Sequence, residues 1–294
     1  SDEQKQRYLP GLCSGELVGC MAMSEPDYGT DVLGMATNAV LQDDGNWCIN
    51  GRKMWITNGV IDEDGTPADI VWLYARTGTT ERGRPEISTF IVEKGMPGYK
   101  SGQKIIDKLG MRASNTAELV FEDCIVPPQN LVGEPGSSMH HMMRNLEIER
   151  VALAAQAIGI SRRCLADMSR YAGEREAFGK PIREFGQMQR HIGESWAEYR
   201  AMRAYVYETC RVLDLDSGGQ RLDSDGVKLF ATTAAKNIAD RAIQVMGGYG
   251  YVGEYVVERL WRDAKLLEIG GGTLESHQKN ITRDLSKNPD PIED

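Results

Sequence analysis

The chain has 294 residues with 34 basic and 43 acidic side chains, which gives a formal net charge of −9. An acidic protein is a poor candidate for nucleic-acid binding, because phosphate recognition needs a basic face. No run approaches 18 consecutive apolar residues, so no membrane span is predicted. The length favours about two domains, and the composition, 41% hydrophobic and 26% charged, is that of a globular enzyme or binding protein.

The cysteines and histidines do not have the spacing of a metal site. No Cys-x-x-Cys pair occurs, and two of the four histidines, His140 and His141, are adjacent. We therefore predict no metal. We expect the six cysteines to be free and mostly buried thiols in a reducing compartment, namely Cys13, Cys20, Cys48, Cys124, Cys164 and Cys210.

The first residues predict the end of a helix. Asp2 to Tyr8 resembles a charged last turn, closed by Pro10 and Gly11. This segment is polar and has no apolar core of a signal peptide. We expect residues 1–9 to be the tail of a preceding helix, and the chain to begin inside a larger polypeptide.

From Glu16 to about Val132 the sequence has the pattern of β-strands. Asp44-Gly45 lies between two extended runs, which predicts a hairpin. Short β-branched and aromatic runs follow, and their even spacing favours an antiparallel barrel or sandwich over a parallel sheet. The predicted strands include 70–75, 88–92 and 117–122.

After Pro127 and Pro128 the period becomes helical. Apolar residues recur at three- and four-residue steps from Met188 to Val206, and further helices are predicted over 139–171, 223–246 and after Thr273. Long helices in succession predict an antiparallel four-helix bundle. The predicted fold class is therefore α+β, with a β domain over residues 1–133 and a helical bundle domain over residues 134–294.

Three glycine-containing turns are candidate ligand sites. They are Ser24–Asp31, Met246–Tyr251 and Ile269–Thr273, and the last of them opens a helix. Each by itself is an ordinary turn or helix cap. Together they weakly favour a phosphate-bearing ligand, because free backbone N–H groups bind anions.

Two glutamates on one predicted helix differ in their neighbours. Glu147 has arginines three residues before and after it, which is typical of a solvated, salt-bridged face. Glu149 has Leu146, Ala152 and Leu153 at similar offsets, so its surroundings are apolar. Desolvation would raise the pKa of Glu149, as a general base requires. The alternative is an ordinary helix-surface glutamate.

Trp55 also has two interpretations. It is either a core aromatic on a strand or a planar wall against a flat cofactor, with the Thr57 hydroxyl close by.

The motifs taken together resemble those of the acyl-CoA dehydrogenases, flavoproteins that introduce an α,β double bond into acyl-CoA thioesters. The resemblance covers essentially the whole chain in the same order, and within the family it is strongest to the isovaleryl-CoA subgroup. It implies the family's middle β domain and C-terminal four-helix domain, without the N-terminal helical domain. The matching segments are 23–26, 51–58, 108–116, 121–127, 175–180, 244–248 and 262–265.

The resemblance also implies the chemistry. The family's usual glutamate is absent from the loop Gly270-Gly271-Gly272, and Glu149-Arg150 stands where some subgroups carry the base. Glu149 would remove the substrate's pro-R α-proton while a hydride passes to flavin N5. The N–H of Gly271 and a flavin ribityl hydroxyl would donate to the thioester oxygen. Gly270 leaves room for a short branched acyl group, with long-chain or terpenoid-like groups as the alternative.

The resemblance further implies FAD and several partners. Guanidinium suits a pyrophosphate, and Arg175 with Phe178 would reach the FAD of a neighbouring subunit. We expect an electron-transfer flavoprotein as acceptor, a homotetramer with a dimer as the alternative, and the mitochondrial matrix or bacterial cytoplasm. Thr30, Glu147 and Arg150 are predicted to contact CoA. The predicted FAD residues are Met21, Met23, Ser24, Thr30, Trp55, Ile56, Thr57, Arg175, Phe178, Gln187, Gln244, Gly247, Gly248, Thr273 and Glu275.

Two other functions are compatible with these residues. One is an FAD-binding protein that oligomerises without turnover, since the N-terminal domain is absent from the chain. The other is an acyl-CoA oxidase, which would produce peroxide in air.

Overall fold

The computed structural model describes residues 1–214, 216, 219 and 221–287, which form two compact units. The first unit comprises Ser1–Lys108 and Arg112–Met142. The second comprises Leu109–Met111 and the described residues from Met143 onward. The domain boundary predicted after residue 133 stays a prediction.

The first unit is built on one eight-stranded sheet. Its strand order is β6-β7-β3-β2-β4-β5-β8, and β1 pairs with β4 in parallel. Apart from that pair and a single parallel pair of residues between β2 and β4, the neighbours run antiparallel. The strands are β1 (Gly19–Ala22), β2 (Asn38–Leu41), β3 (Trp47–Thr57), β4 (Ile70–Thr79), β5 (Pro85–Glu93), β6 (Tyr99–Lys104), β7 (Thr116–Val126) and β8 (Leu131–Val132).

The predicted hairpin and strands are confirmed. Leu41 pairs with Trp47 across a turn in which Gly45 has a φ of 84°, a conformation that glycine adopts without steric cost. The runs 70–75, 88–92 and 117–122 lie within β4, β5 and β7. Their inward side chains form an apolar core around Leu73, Phe90 and Phe121.

The first helix differs from its prediction. Helix α1 covers Asp2–Ser14 and continues through Pro10, which the sequence analysis placed at its end. Proline in a helix interior removes one hydrogen bond and costs about 3 kcal/mol. Here Tyr8 is buried in a cluster with Ile70 and Ile91, and Leu12 packs against that cluster. This packing holds the turn beyond the proline.

The second unit is helical, as predicted. Its core includes Val151 and Ala157 of α2, Met202 of α3 and Ala235 of α4. The helices are α2 (Ser138–Glu174, which begins in the first unit), α3 (Gly186–Val212), α4 (Arg221–Met246), α5 (Gly248–Tyr251), α6 (Val257–Leu267) and α7 (Leu274–Lys287). Two short strands, β9 (Glu176–Ala177) and β10 (Lys180–Pro181), form a small antiparallel ribbon between α2 and α3.

Helix α6 was not predicted, and it supports the segment Leu109–Met111 of the same unit. Asp263 accepts a hydrogen bond from the Met111 N–H at 2.6 Å, and the Arg262 guanidinium donates to the Leu109 carbonyl at 2.9 Å. A Cβ on Gly110 would lie 2.5 Å from the backbone of Arg262. The glycine therefore permits this close approach.

Three expectations concern the described residues as a whole. No helix in this part of the chain is both long and apolar enough to cross a bilayer. The described His, Cys, Asp and Glu side chains form no cluster of three or more suited to a metal ion. The cysteines are free, as expected, but only Cys124 and Cys164 are buried, so the prediction that most would be buried is wrong.

Candidate active site

Glu149 lies on α2, where its carboxyl is partly buried beside a turn made of glycine. Burial raises the pKa of Glu149, while the nearby charges of Arg150 and Lys228 act in the opposite direction. A Cβ built on Gly271 would be 3.5 Å from Glu149 Oε1 and 2.4 Å from Leu153 Cδ1. The structure thus brings Glu149 and the triple-glycine turn together, in the apolar surroundings that Leu153 helps to form. A helix-surface glutamate fully exposed to water does not describe this position.

The turn Gly270–Gly272 precedes α7 and has an unusual backbone. Gly271 and Gly272 have φ values of 67° and 100°, a region that side chains with a Cβ rarely adopt. A Cβ on Gly270 would have no atom closer than 3.6 Å. A Cβ on Gly270 would therefore fit in ordinary van der Waals contact with Leu266, whereas the space beside Gly271 is filled by Leu153 and Glu149.

A buried cluster of charged residues lies next to this turn. Asp225, Lys228 and His277 are completely buried, and Arg150 is 6% exposed. The Lys228 ammonium donates to the Gly272 carbonyl at 2.5 Å, and His277 Nε2 lies 3.0 Å from the same oxygen. Asp225 Oδ1 contacts His277 Nδ1 at 2.5 Å and Arg150 at 3.0 Å. These contacts connect α2, α4 and α7 with one another and with the glycine turn.

Glu147 does not lie on the solvated face that its neighbours predicted. It is 6% exposed, and its carboxylate accepts a hydrogen bond from the Gly219 N–H at 3.0 Å. The prediction that Glu147 lies on a solvated face is therefore wrong. Of the three residues predicted to contact CoA, only Thr30 has an exposed side chain.

A buried ion pair in the first unit holds the Ser24 turn. The Lys53 ammonium donates to the Met23 carbonyl at 3.0 Å and to Glu25 at 2.9 Å. Glu25 also accepts from the N–H groups of Ala36 and Thr37 at 2.7 and 3.0 Å. The Met54 N–H donates to the Ser24 carbonyl at 2.9 Å, which joins the turn to β3.

Trp55 follows on β3 at an irregularity in the strand. Its φ is 65°, and the pairing of β3 with β7 shifts register between Lys53 and Ile56. The Trp55 side chain is 61% exposed, so the alternative of a core aromatic is wrong. A bulge of this kind redirects a side chain out of its expected alternation. Here it presents an indole ring on the surface of the first unit.

The other residues predicted to bind FAD in the first unit divide by exposure. Met21, Thr30 and Thr57 are exposed, and Ser24 is partly exposed. Met23 and Ile56 have side chains buried in the unit, with exposures of 7% and 4%. A ligand on the surface would therefore meet Met23 and Ile56 through their backbone and not through their side chains.

In the second unit, Arg175, Gly247 and Gly248 line one cleft of about 530 Å³. Tyr171, Ile182 and Tyr249 complete its wall. Phe178 lies on the ribbon after α2 with a φ of 53° and 95% exposure. Gln187 and Gln244 are exposed, and neither lines the cleft.

Thr273 and Glu275 stand at the start of α7. The Thr273 hydroxyl accepts from the Ser276 N–H at 3.3 Å and so caps the helix, and Glu275 is exposed in the first turn.

The sequence analysis missed Asp225, Lys228, His277, Glu25 and Lys53 as parts of these sites. A signal for the first two was present, because Asp225 and Lys228 are one turn apart on α4 among core residues such as Val227 and Ala231. Charged side chains on a buried helix face are rare unless they are paired.

Comparisons with known proteins identify the family. Two family models match, "Acyl-CoA dehydrogenase, middle domain" at residues 20–124 and "Acyl-CoA dehydrogenase, C-terminal domain" at residues 137–286. The mitochondrial isovaleryl-CoA dehydrogenase of Oryza sativa subsp. japonica is 46% identical over 288 residues, which cover 98% of this chain and 68% of that protein.

Two solved structures are also similar. Butyryl-CoA dehydrogenase from Megasphaera elsdenii superposes with a TM-score of 0.89 at 36% identity and covers 97% of this chain and 72% of its own. An acyl-CoA dehydrogenase from Bacillus anthracis complexed with FAD has a TM-score of 0.87 at 30% identity, covering 98% and 51% of the two chains. The chain spans about two thirds of the length of the rice isovaleryl-CoA dehydrogenase.

Proposed function

Because the chain belongs to the acyl-CoA dehydrogenase family, we propose that it oxidises the Cα–Cβ bond of an acyl-CoA thioester with Glu149 as the base. The observation that carries this proposal is a half-buried carboxyl, with its pKa raised by burial, beside a turn that has no side chains. A base with a raised pKa takes a proton more readily near neutral pH. The α-proton would go to the Glu149 carboxylate.

The Gly271 N–H has the chemistry to assist that step. As the α-proton leaves, negative charge grows on the thioester oxygen, and a fixed backbone donor stabilises it. Gly271 adjoins Glu149, so one short region of the second unit supplies both the base and a donor. The carboxylate acts at the α-carbon and the N–H at the oxygen, and both of these atoms are bonded to the thioester carbonyl carbon.

The acyl group is proposed to be short and branched, with isovaleryl-CoA as the first substrate to test. Gly270 has no side chain, and the nearest atom to its Cβ position is 3.6 Å away. A position without a side chain, where only Leu266 comes into van der Waals contact, suits a methyl branch near the reacting carbons. The similarity to the rice isovaleryl-CoA dehydrogenase supports the same choice, and a longer or terpenoid-like acyl group is the alternative.

The described residues fit FAD. Trp55 is exposed at a left-handed backbone position, which costs about 1 kcal/mol or more in a residue with a Cβ and is retained where the ring has a role. Thr57 offers an exposed hydroxyl beside it, and Arg175 offers a guanidinium in the cleft with Gly247 and Gly248. When bound, FAD supplies the acceptor for the hydride that leaves the β-carbon.

The family relationship also supports a proposal for the partners and the cellular compartment. The electron acceptor would be an electron-transfer flavoprotein, and the active form would be a homo-oligomer, with Phe178 exposed on the ribbon after α2 and Arg175 exposed just before it. The rice relative is mitochondrial, and the mitochondrial matrix and a bacterial cytoplasm both remain candidates for this chain.

Anaerobic titration of the FAD-loaded protein with isovaleryl-CoA tests this function. The flavin absorbance should bleach with one equivalent of substrate, and reoxidation in air should be slow and give little peroxide. Rapid peroxide formation would support an oxidase instead. A protein that retains FAD but does not bleach with isovaleryl-CoA or with a long-chain acyl-CoA would contradict the proposal and support an FAD-binding protein without turnover.

A further inference from the structure

The buried cluster of charged residues next to the glycine turn is the feature that the proposed function does not use. Asp225, Lys228 and His277 are 0% exposed, and two of them come from α4 and one from α7. Burying charged groups is costly unless they are paired and hydrogen-bonded. A cluster of this kind at a candidate active site therefore needs an explanation.

The turn itself needs support from outside. Three consecutive glycines are conformationally free, and ordering them costs more backbone entropy than ordering other residues. Their lack of side chains also means that packing contacts cannot hold them in the usual way. A loose turn would leave the Gly271 N–H without a fixed direction, and electrostatic stabilisation of a transition state depends on preorganised donors.

Two donors converge on one carbonyl of this turn. Lys228 Nζ and His277 Nε2 lie 2.5 and 3.0 Å from the Gly272 oxygen. A carbonyl oxygen has two lone pairs, so these two contacts use its full accepting capacity. The two donors reach the turn from different helices, and together they hold the Gly272 carbonyl oxygen.

The contacts of His277 also indicate where the hydrogens of its two ring nitrogens lie. The Gly272 oxygen only accepts hydrogen bonds, so Nε2 must carry a hydrogen, and Nδ1 faces Asp225 Oδ1 at 2.5 Å. A proton therefore lies between Nδ1 and Oδ1, whichever of the two atoms holds it. Asp225 Oδ1 also pairs with Arg150, the residue that follows Glu149. Asp225 thus orients the imidazole and connects it to the helix that carries the base.

We propose that Lys228 and His277 are positioning residues that lock the triple-glycine turn, so that the Gly271 N–H points to the thioester oxygen while Glu149 takes the α-proton. This inference rests on the proposed function. Neither side chain needs to touch the substrate, because both act through the Gly272 carbonyl. The fold thus replaces the side-chain packing that glycine lacks with two hydrogen bonds from neighbouring helices.

Lys228 has a second effect on the same site. Burial lowers the pKa of Lys228 to about 8, with Arg150 acting in the same direction and Glu149, Asp225 and Glu268 acting against it. Its positive charge in turn favours the ionised form of Glu149. Removing the ammonium should therefore both loosen the turn and raise the pKa of the base further.

The test compares FAD-loaded variants of the full chain. Lys228→Met and His277→Phe each remove one donor to Gly272, His277→Gln keeps an N–H donor, and Lys236→Met removes a lysine from α4 that has no place in the cluster. The readouts are kcat, KM and the carbonyl stretching frequency of bound branched enoyl-CoA that carries a ¹³C label at its thioester carbon. Hydrogen bonds to the thioester oxygen lower that frequency.

In Lys228→Met and His277→Phe, we expect kcat to fall about 10-fold or more with KM changed less than about 3-fold, because the lost interaction acts mainly in the transition state. The carbonyl frequency should move toward that of free enoyl-CoA. His277→Gln should recover much of both effects, and Lys236→Met should match the unsubstituted enzyme.

Two results would overturn the inference. One is an unchanged kcat and frequency in either donor-removing variant that retains FAD. The other result concerns the case in which both donor-removing variants lose FAD. The inference is then overturned if His277→Gln has an unchanged kcat and the unsubstituted enzyme gives the same stretching frequency as free enoyl-CoA. If the unsubstituted enzyme itself does not oxidise acyl-CoA, the proposed function fails instead, which the same experiment reports separately.

Discussion

At the scale of single residues, Glu149 has an environment that opposes its charge. The folded protein raises its pKa through burial, so the folded state binds this proton more tightly than the unfolded chain. The contribution of Glu149 to stability is then present below its unfolded pKa and is lost as the pH rises through the folded pKa. Above the folded pKa, the ionised carboxylate of Glu149 destabilises the folded state.

Removing the base should therefore stabilise the folded protein. Glu149→Gln should raise the unfolding temperature at pH 7, because the amide does not carry the desolvated charge. At pH 4 the two proteins should unfold at nearly the same temperature. Calorimetry or circular dichroism at both pH values measures the difference, and an equal gain at pH 4 and pH 7 would show that it does not come from ionisation.

The glycine turn offers a matched pair of substitutions. Gly271→Ala places a Cβ 2.4 Å from Leu153 at a φ of 67°, whereas Gly270→Ala meets nothing closer than 3.6 Å. We expect Gly271→Ala to lower the free energy of unfolding by about 1–2 kcal/mol, the cost of a left-handed conformation in a residue with a Cβ. Chemical denaturation measures both variants. A loss as large in Gly270→Ala would contradict the assigned backbone strain.

At the scale of elements, the Ser24 turn depends on a buried ion pair. Burial lowers the pKa of Lys53 to about 8 although Glu25 acts against it. Burial raises the pKa of Glu25, but the charge of Lys53 and several hydrogen bonds outweigh this effect and lower it. Each partner therefore stays charged at neutral pH because the other is present.

Breaking this pair should be costly. Glu25→Gln leaves the Lys53 ammonium buried without its counterion, and removing one partner of such a pair costs about 3–5 kcal/mol. Equilibrium urea unfolding measures this loss, and the variant should also release FAD more easily, because the Ser24 turn loses its anchor. The control is Glu122→Gln, which breaks an exposed pair with Lys100 and should leave stability unchanged. Equal stability of the Glu25 variant and the control would contradict the account.

The sequence predicted the elements better than it predicted their ends and their buried contacts. The hairpin at Gly45 and the long helices have local signals, since turn chemistry and apolar periodicity belong to a few adjacent residues. Helix α1 continues past Pro10 because Tyr8 packs on strands about 60 to 80 residues away along the chain, which a local pattern does not contain. Helix α6 has only 11 residues and was missed although its apolar residues recur at three- and four-residue steps.

The candidate site shows the same division. Glu149 was predicted because its helical neighbours are apolar and because its motif resembles that of a family. The Asp225–His277 contact joins residues 52 positions apart, and nothing in either local sequence predicts the other. Trp55 was ambiguous for a related reason, because an alternating strand pattern places it inside and only the irregularity in β3 turns it outward.

At the scale of the whole molecule, residues predicted to bind FAD occur in each of the two units. A ligand that binds only the folded chain stabilises it, by about 2.7 kcal/mol at a free concentration of 100 times its Kd. We therefore expect FAD to raise the unfolding temperature in proportion to the logarithm of its concentration.

A paired variant makes this measurement specific. Trp55→Ala should unfold at about the same temperature as the unsubstituted protein without FAD, because the ring is 61% exposed, and should gain less when FAD is added. Differential scanning fluorimetry with and without FAD gives all four values. The same gain in both proteins would remove Trp55 from the proposed FAD site.

The central claim is that the Glu149 carboxylate takes the α-proton, and hydrogen exchange at the substrate tests it most directly. Isovaleryl-CoA is incubated anaerobically in D₂O with FAD-loaded protein, and deuterium at the α-carbon is measured by mass spectrometry. We expect rapid α-deuteration by the unsubstituted protein and a rate at the uncatalysed level for Glu149→Gln with FAD retained. Undiminished α-deuteration by Glu149→Gln would show that another group is the base.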